Sequence, residues 1–314
     1  MGRMTVADVY REFAATEARG VSPIYERLAR QVAADPELLD RLAMLPAPKR
    51  QPNLLFAVVR LLGGPVGDPA GFHDFALAQW DAILAQLMVR GTQTNEIGRT
   101  AALLPVLAAL PQPLALIDVG ASAGLCLYPD RYSYRYGSHV VGDSGPLLDC
   151  AATGFTPPDR LPRVVWRAGL DLNPLDVTDP DDVAWLDALI WPEHTHRRDR
   201  LRQAVAIARA DPPHLVRGDA VTDLPALAAQ APAGATLVVY HTSMLYQLPD
   251  RQAFLDVVRA LPARWVAVDG DIGADLPEPP TADLYNVLAL DGEPLAWVRG
   301  HGQSVTWFGA HSLT

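Results

Sequence analysis

The chain has 314 residues, 49% of them hydrophobic and 20% charged, which is enough to bury a core and excludes a disordered polymer. A net charge of −10 excludes the broadly basic face that nucleic-acid binding needs. Two cysteines, Cys126 and Cys150, are too few for a disulfide framework or a cysteine zinc site. The first twenty residues lack an apolar signal core, and no stretch approaches the ~20 apolar residues of a membrane span. The expectation is a cytoplasmic protein with no membrane partner; the oligomeric state stays open.

The first third reads as helical. Val6, Val9, Tyr10 and Phe13 recur at helical spacing, as do Ile24, Tyr25, Leu28 and Val32, and then Leu38, Leu39, Leu42 and Leu45. Pro46 and Pro48 break the pattern. Further helices are expected over 53–62, before the turn Gly63-Gly64-Pro65, over 72–89, and within 93–110, where Pro105 introduces a kink. Residues 1–110 are therefore expected to form a helical subdomain able to act as a lid.

From residue 111 to 314 short apolar runs alternate with helical patterns, which predicts an α/β domain with a mostly parallel sheet. Strands are expected at Leu114–Val119, 164–168, His214–Arg217, 236–240 and 265–268, with helices over 181–190, 197–209 and 250–260. The chain ends in strands at 285–290, 295–299 and 304–308, the last two joined by a hairpin turn at Gly300-His301-Gly302. We expect seven strands in one Rossmann-like sheet.

Three segments carry chemistry. In Asp118-Val119-Gly120-Ala121-Ser122-Ala123-Gly124 an apolar strand runs into a loop of small residues and then, by expectation, a helix. Small residues let a nucleotide approach the backbone closely. In Gly169-Leu170-Asp171-Leu172-Asn173-Pro174 a carboxylate ends a strand, where it can accept hydrogen bonds from two ribose hydroxyls. In Gly218-Asp219-Ala220 a further acid can accept from an adenine amino group. Each also reads as ordinary turn or cap chemistry.

In order, DVGASAGL, GLDLNP, RGDA and LVVYHTSMLYQLP resemble the motifs of class I S-adenosylmethionine-dependent methyltransferases. QTNEIGRTAALLP, DVGASAGLCLYPDRYSYRYG, GLDLNPLDVTDP and the WPEH stretch resemble, more closely, the bacterial family called domain of unknown function 2332. The first resemblance implies a methyltransferase-type fold, S-adenosylmethionine as cofactor and a small-molecule acceptor. It implies cofactor contacts from Asp118, Gly120, Ala121, Ser122, Gly124, Asp171 and Asp219. The second carries no activity. A ligand-binding or regulatory protein that keeps the fold is the alternative.

Two departures stand out. The ribose acid usually follows the glycine loop by ~20 residues, whereas Asp171 follows Gly120 by 51, so an insertion over 128–162 is expected. Asp143, in VVGDSG, fits the spacing better and is the rival. After the strand at 236–240 stands His241-Thr242-Ser243-Met244, which is not the Pro-Pro-aromatic turn of enzymes that methylate nucleobase amines. His241, at a strand end, is the candidate base. Gln93, Asn95, Glu96 and Tyr246 are candidates for the acceptor side, and Tyr285, Asp269 and Asp271 are candidate cleft residues. His194 and His196, beside Glu193, do not share a helical face, so no metal site is expected. No Gly-x-Ser-x-Gly elbow and no P-loop is present.

Overall fold

The computed structural model describes residues 4–270, 276–282 and 284–308. The chain forms two compact units. One runs to Thr94 and takes in Asp179–Asp199; the other comprises Asn95–Thr178 and the chain from Arg200 onward. Residues 95–110 thus belong with the sheet, and a later segment belongs with the first helices.

The helical unit follows a simple start rule. Ser22-Pro23, Asp35-Pro36, Asp68-Pro69 and Asp179-Pro180 each open a helix. In each the Ser or Asp side chain accepts a free backbone N–H, and proline occupies the first turn, where no N–H is needed. The expected helix over 72–89 is two helices, Pro69–Ala78 and Trp80–Val89, because Gln79 leaves the helical region at φ −108° and ψ 19°. The core is aromatic. Phe56 lies 4.9–6.1 Å from the rings of Tyr10, Phe13, Tyr25 and Phe72. Trp191 packs on Phe13 and Tyr25 and donates Nε1–H to Asn53. The Glu193 carboxylate accepts from Ser22 Oγ at 2.7 Å and Ile24 N–H at 2.9 Å. The WPEH stretch is therefore an anchor for the first helices.

Among the described residues the sheet unit has twelve strands: β1 (Leu114–Val119), β2 (Ser133–Tyr136), β3 (His139–Val141), β4 (Leu147–Asp149), β5 (Ala151–Thr153), β6 (Val164–Asp171), β7 (His214–Arg217), β8 (Thr236–Thr242), β9 (Arg264–Asp269), β10 (Asn286–Leu290), β11 (Glu293–Val298) and β12 (Ser304–Trp307). Nine make one sheet in the order β5-β12-β11-β10-β9-β8-β1-β6-β7. The run from β7 to β9 is parallel, β10, β11 and β12 form an antiparallel meander, and β5 pairs parallel with β12. Among the described residues the sheet has nine strands rather than seven, because all eight segments read as strands join it and the insertion donates β5. Asp291 and Gly292, both at positive φ, make the extra turn between β10 and β11.

The insertion also builds a small second sheet, β3-β2-β4. It repairs a defect in the neighbouring helix Thr100–Ala109. Pro105 has no N–H to give to the carbonyl of Ala101, and Tyr136 Oη donates to that carbonyl instead at 2.6 Å. This helix begins only after a 3-10 turn at Ile97–Arg99, so residues up to Glu96 are not helical. The helix expected after the glycine loop is a single 3-10 turn, Leu125–Leu127, and the insertion follows it. Ile117, Val119, Val239, Ala267 and Trp265 face Leu224, Leu227, Phe254 and Val258 in the main core. Among the described residues no helix is long and apolar enough to cross a membrane.

Candidate functional site

The chain runs from β1 to β6 and β7 on one side, and then to β8 and β9 on the other. Sheet order therefore reverses between β1 and β8, and in open α/β sheets ligands sit beyond the strand ends at such a point. The glycine loop lies there. Residues 114–129 are buried except Gly120, which is exposed. Gly120 has φ +80°, a conformation that favours glycine, and a β-carbon added there would stand 3.0 Å from Met244 Cγ. Gly169 serves packing instead: a β-carbon on it would meet Ala121 Cβ at 2.6 Å.

The loop N–H groups are engaged within the protein. Gly120 N–H donates to the Leu170 carbonyl at 2.8 Å, and Ala121 N–H reaches the same carbonyl at 3.4 Å. Ser122 N–H donates to Asp171 Oδ2 at 2.8 Å, and Gly124 N–H to the Ala121 carbonyl at 2.7 Å. Ala123 N–H donates to Asn95 Oδ1 at 3.1 Å, and Asn95 Nδ2 donates to Ser122 Oγ. Asp171 Oδ1 also accepts from Asn173 N–H at 2.7 Å, which shapes the turn after β6. The loop thus presents carboxylate oxygens rather than spare N–H groups.

Asp118 sits one residue before the end of β1, opposite Gly169 in register, and is buried. Burial pushes its carboxyl well above the usual carboxylate range, the charge of Asp171 adds to that, and Arg99 opposes it. Arg99 is held by the carbonyl of Gly300 and by both oxygens of Thr242, each at 3.2 Å. Cys126 lies in the same region; its thiol is raised first by burial and then by Asp118. It is a packed residue rather than a thiolate nucleophile. Residue-by-residue reading missed Arg99, which looked like part of a helix; its signal was the placement of QTNEIGR directly before the last helix ahead of β1.

His241 points the other way. Tyr240 pairs in register with Asp118, so the two share a face, and the next residue along β8 faces the opposite side of the sheet. The His241 ring is 0% exposed and lies against Phe254 and Trp265. Its Nδ1 is 2.7 Å from Asp269 Oδ2, while Nε2 is buried with no partner among the described residues. Asp269 also accepts from Met244 N–H at 3.3 Å.

The other expected residues are dispersed. Asp219 Oδ1 accepts from the N–H groups of Val221 and Thr222, so it shapes the turn after β7. Asp143 is exposed in the insertion, between β3 and β4, and not at the end of a strand of the large sheet. Glu96 is buried and accepts from Gly98 N–H at 3.0 Å, with Arg200 at 3.8 Å. Gln93 belongs to the helical unit. Tyr246 is 78% exposed after β8, and Tyr285 is 58% exposed before β10. Asp271 lies outside the described residues. Among the described residues no three His, Cys, Asp or Glu side chains are grouped to hold a metal.

A search of curated proteins found no match. A search of solved structures likewise found none. A family model matches residues 7–70 and 64–307, nearly the whole chain. The chain therefore belongs to the family described as an uncharacterized protein conserved in bacteria, DUF2332.

Proposed function

We propose that this protein is a methyltransferase-type enzyme that binds S-adenosylmethionine at the Gly120–Gly124 turn and acts on a small-molecule acceptor. One observation carries the reading: an exposed Gly120 turn at the point where strand order reverses, flanked by Asp118 and Asp171, with its N–H groups already committed. A dinucleotide needs free N–H donors at a helix start for its pyrophosphate. Here a single 3-10 turn follows the loop, and the N–H groups of residues 120–124 bond within the protein. A nucleoside ligand without phosphate, carrying positive charge, suits two carboxylates better.

The residues present fit such a ligand. An ionised carboxylate accepts up to about four hydrogen bonds; Asp171 uses one on each oxygen within the protein, which leaves capacity for two ribose hydroxyls. Asp118, Gly120, Ala121, Ser122 and Gly124 would line the remainder, and Asp219 would stand nearest the base. When bound, the cofactor supplies an electrophilic methyl group. The chain's part is orientation and charge: Asp118 and Asp171 favour the cation, and Gly120 permits close approach.

A specific observation favours a second reading, ligand binding without turnover. The candidate base read from the sequence, His241, is fully enclosed and faces away from Asp118. The two readings separate by mass spectrometry. Incubation with S-adenosylmethionine and pooled bacterial small molecules should yield S-adenosylhomocysteine and a product heavier than its precursor by the mass of one CH2 unit, because a methyl group replaces a hydrogen that leaves as a proton. Tight binding with no S-adenosylhomocysteine above the protein-free control would leave only the binding reading.

A further inference from the structure

We infer that Asn95 is a positioning residue for nucleoside recognition: it holds Ser122 in the left-handed turn that sets Asp171 to receive a ribose. This rests on the nucleoside site proposed above.

Ser122 is one of three described non-glycine residues at positive φ, at +51°. That conformation is costly for a residue with a β-carbon and persists only where its surroundings enforce it. Two side chains do so. Asp171 takes the Ser122 N–H, and Asn95 donates to Ser122 Oγ while accepting the N–H of Ala123. One planar carboxamide thus fixes two successive loop residues, and no glycine is needed at the turn's centre. The Leu175 N–H donates to the Ser122 carbonyl at 3.1 Å, tying the same residue to the chain after β6.

Asn95 is itself held firmly. Next along the chain, Glu96 closes its turn on Gly98 N–H. The β11–β12 turn then clamps this strap: the Gly300 carbonyl accepts from Arg99, and Gly302 stands so close to Gly98 that a β-carbon on Gly302 would meet the Gly98 carbonyl oxygen at 2.0 Å. The strap, the loop and Asp171 form one connected set, in which the Asn95 side chain bonds both Ser122 and Ala123. Loss of Asn95 frees Ser122 to leave the left-handed region, which withdraws the N–H that orients Asp171.

Calorimetric titration with adenosine and with 2′,3′-dideoxyadenosine tests this, because the pair differs only in the hydroxyls that Asp171 would accept. The wild-type chain should prefer adenosine by about tenfold or more, the scale of hydrogen bonds to a charged group. Asn95→Ala should cut that preference to about threefold or less with little change in affinity for the dideoxy compound. Asn95→Asp keeps an acceptor for Ala123 N–H and lets the Ser122 hydroxyl donate, so it should restore most of the preference. Thermal melts on the same samples separate this from general loosening, which would weaken both ligands alike. If Asn95→Ala does not fold, Asn95→Ser takes its place: its shorter side chain cannot span both Ser122 and Ala123, so the same reduced preference is expected, and an undiminished one would equally overturn the inference. An undiminished preference in Asn95→Ala would overturn the inference while leaving the nucleoside site intact. No binding of either compound by the wild-type chain would remove the site, and this inference with it.

Discussion

Two polar pairs stand at the same end of the sheet and face opposite sides of it. Asp118 and Asp171 are two acids whose charges oppose each other beside an exposed turn, with Arg99 acting against that repulsion. His241 and Asp269 form a complementary pair sealed between Phe254 and Trp265. Residue type alone marks His241 as the reactive group. Geometry reverses the emphasis: His241 is fully enclosed and bonded to Asp269, and the two acids beside the open turn are the pair a cation would relieve. The lesson is general for parallel sheets, where one step along a strand exchanges one face for the other.

The sharpest way to break this contrast is to remove the sealed pair. His241→Ala leaves a cavity against Phe254 and Trp265 and removes the partner of buried Asp269, and core truncation of this kind costs ~2–5 kcal/mol. Chemical denaturation should show that loss, while any folded fraction keeps its affinity for S-adenosylhomocysteine. If stability is unchanged and affinity collapses, His241 belongs to the ligand site and the contrast fails.

Gly120→Val attacks the open side. A β-branched residue at φ +80°, with Met244 Cγ 3.0 Å from its β-carbon, should cost roughly 1–3 kcal/mol of stability and abolish ligand heat in calorimetry. Retained binding would mean that the ligand does not approach the turn at Gly120. Asp171→Ala should weaken nucleoside binding by roughly 1.5–3 kcal/mol, and Asp143→Ala, in the insertion, should leave it unchanged. The reverse outcome in the same titration would move the ribose acid into the small sheet.

The smallest effect sharpens the charge argument. Burial and Asp171 raise the Asp118 carboxyl above its ordinary range, so the folded chain holds that proton more tightly than the unfolded chain. Stability from this group therefore falls as pH rises from the ordinary carboxylate value through the raised one. Asp118→Asn removes the cost, and in the ligand-free protein it should raise the melting temperature by a few degrees near neutral pH. That gain should shrink as the pH falls and vanish below the ordinary carboxylate value. A gain independent of pH would show that the charge on Asp118 is not what costs stability.

Much of this was legible in the residues. Six apolar-rich positions running into Gly-small-Gly placed β1 and its turn, and GLDLNP placed the end of β6 across an insertion that spacing alone would have denied. The family was legible too. Three things were not. The two-helix break at Gln79 has no proline or glycine to mark it, although Asp68-Pro69 did mark the true start. The split of the chain into units depends on Trp191 and Glu193 packing among residues far earlier in sequence, which no local pattern reveals. The orientation of His241 follows from its register against Asp118, and register appears only once β1 and β8 are paired.

Calorimetric titration of the folded protein with S-adenosylmethionine, and separately with S-adenosylhomocysteine, tests the central claim most directly. One site per chain is expected for each, lost in both Gly120→Val and Asp171→Ala and kept in Asp143→Ala. Absence of heat from either ligand, with a cooperative thermal transition showing the protein to be folded, would contradict a nucleoside site at the Gly120–Gly124 turn.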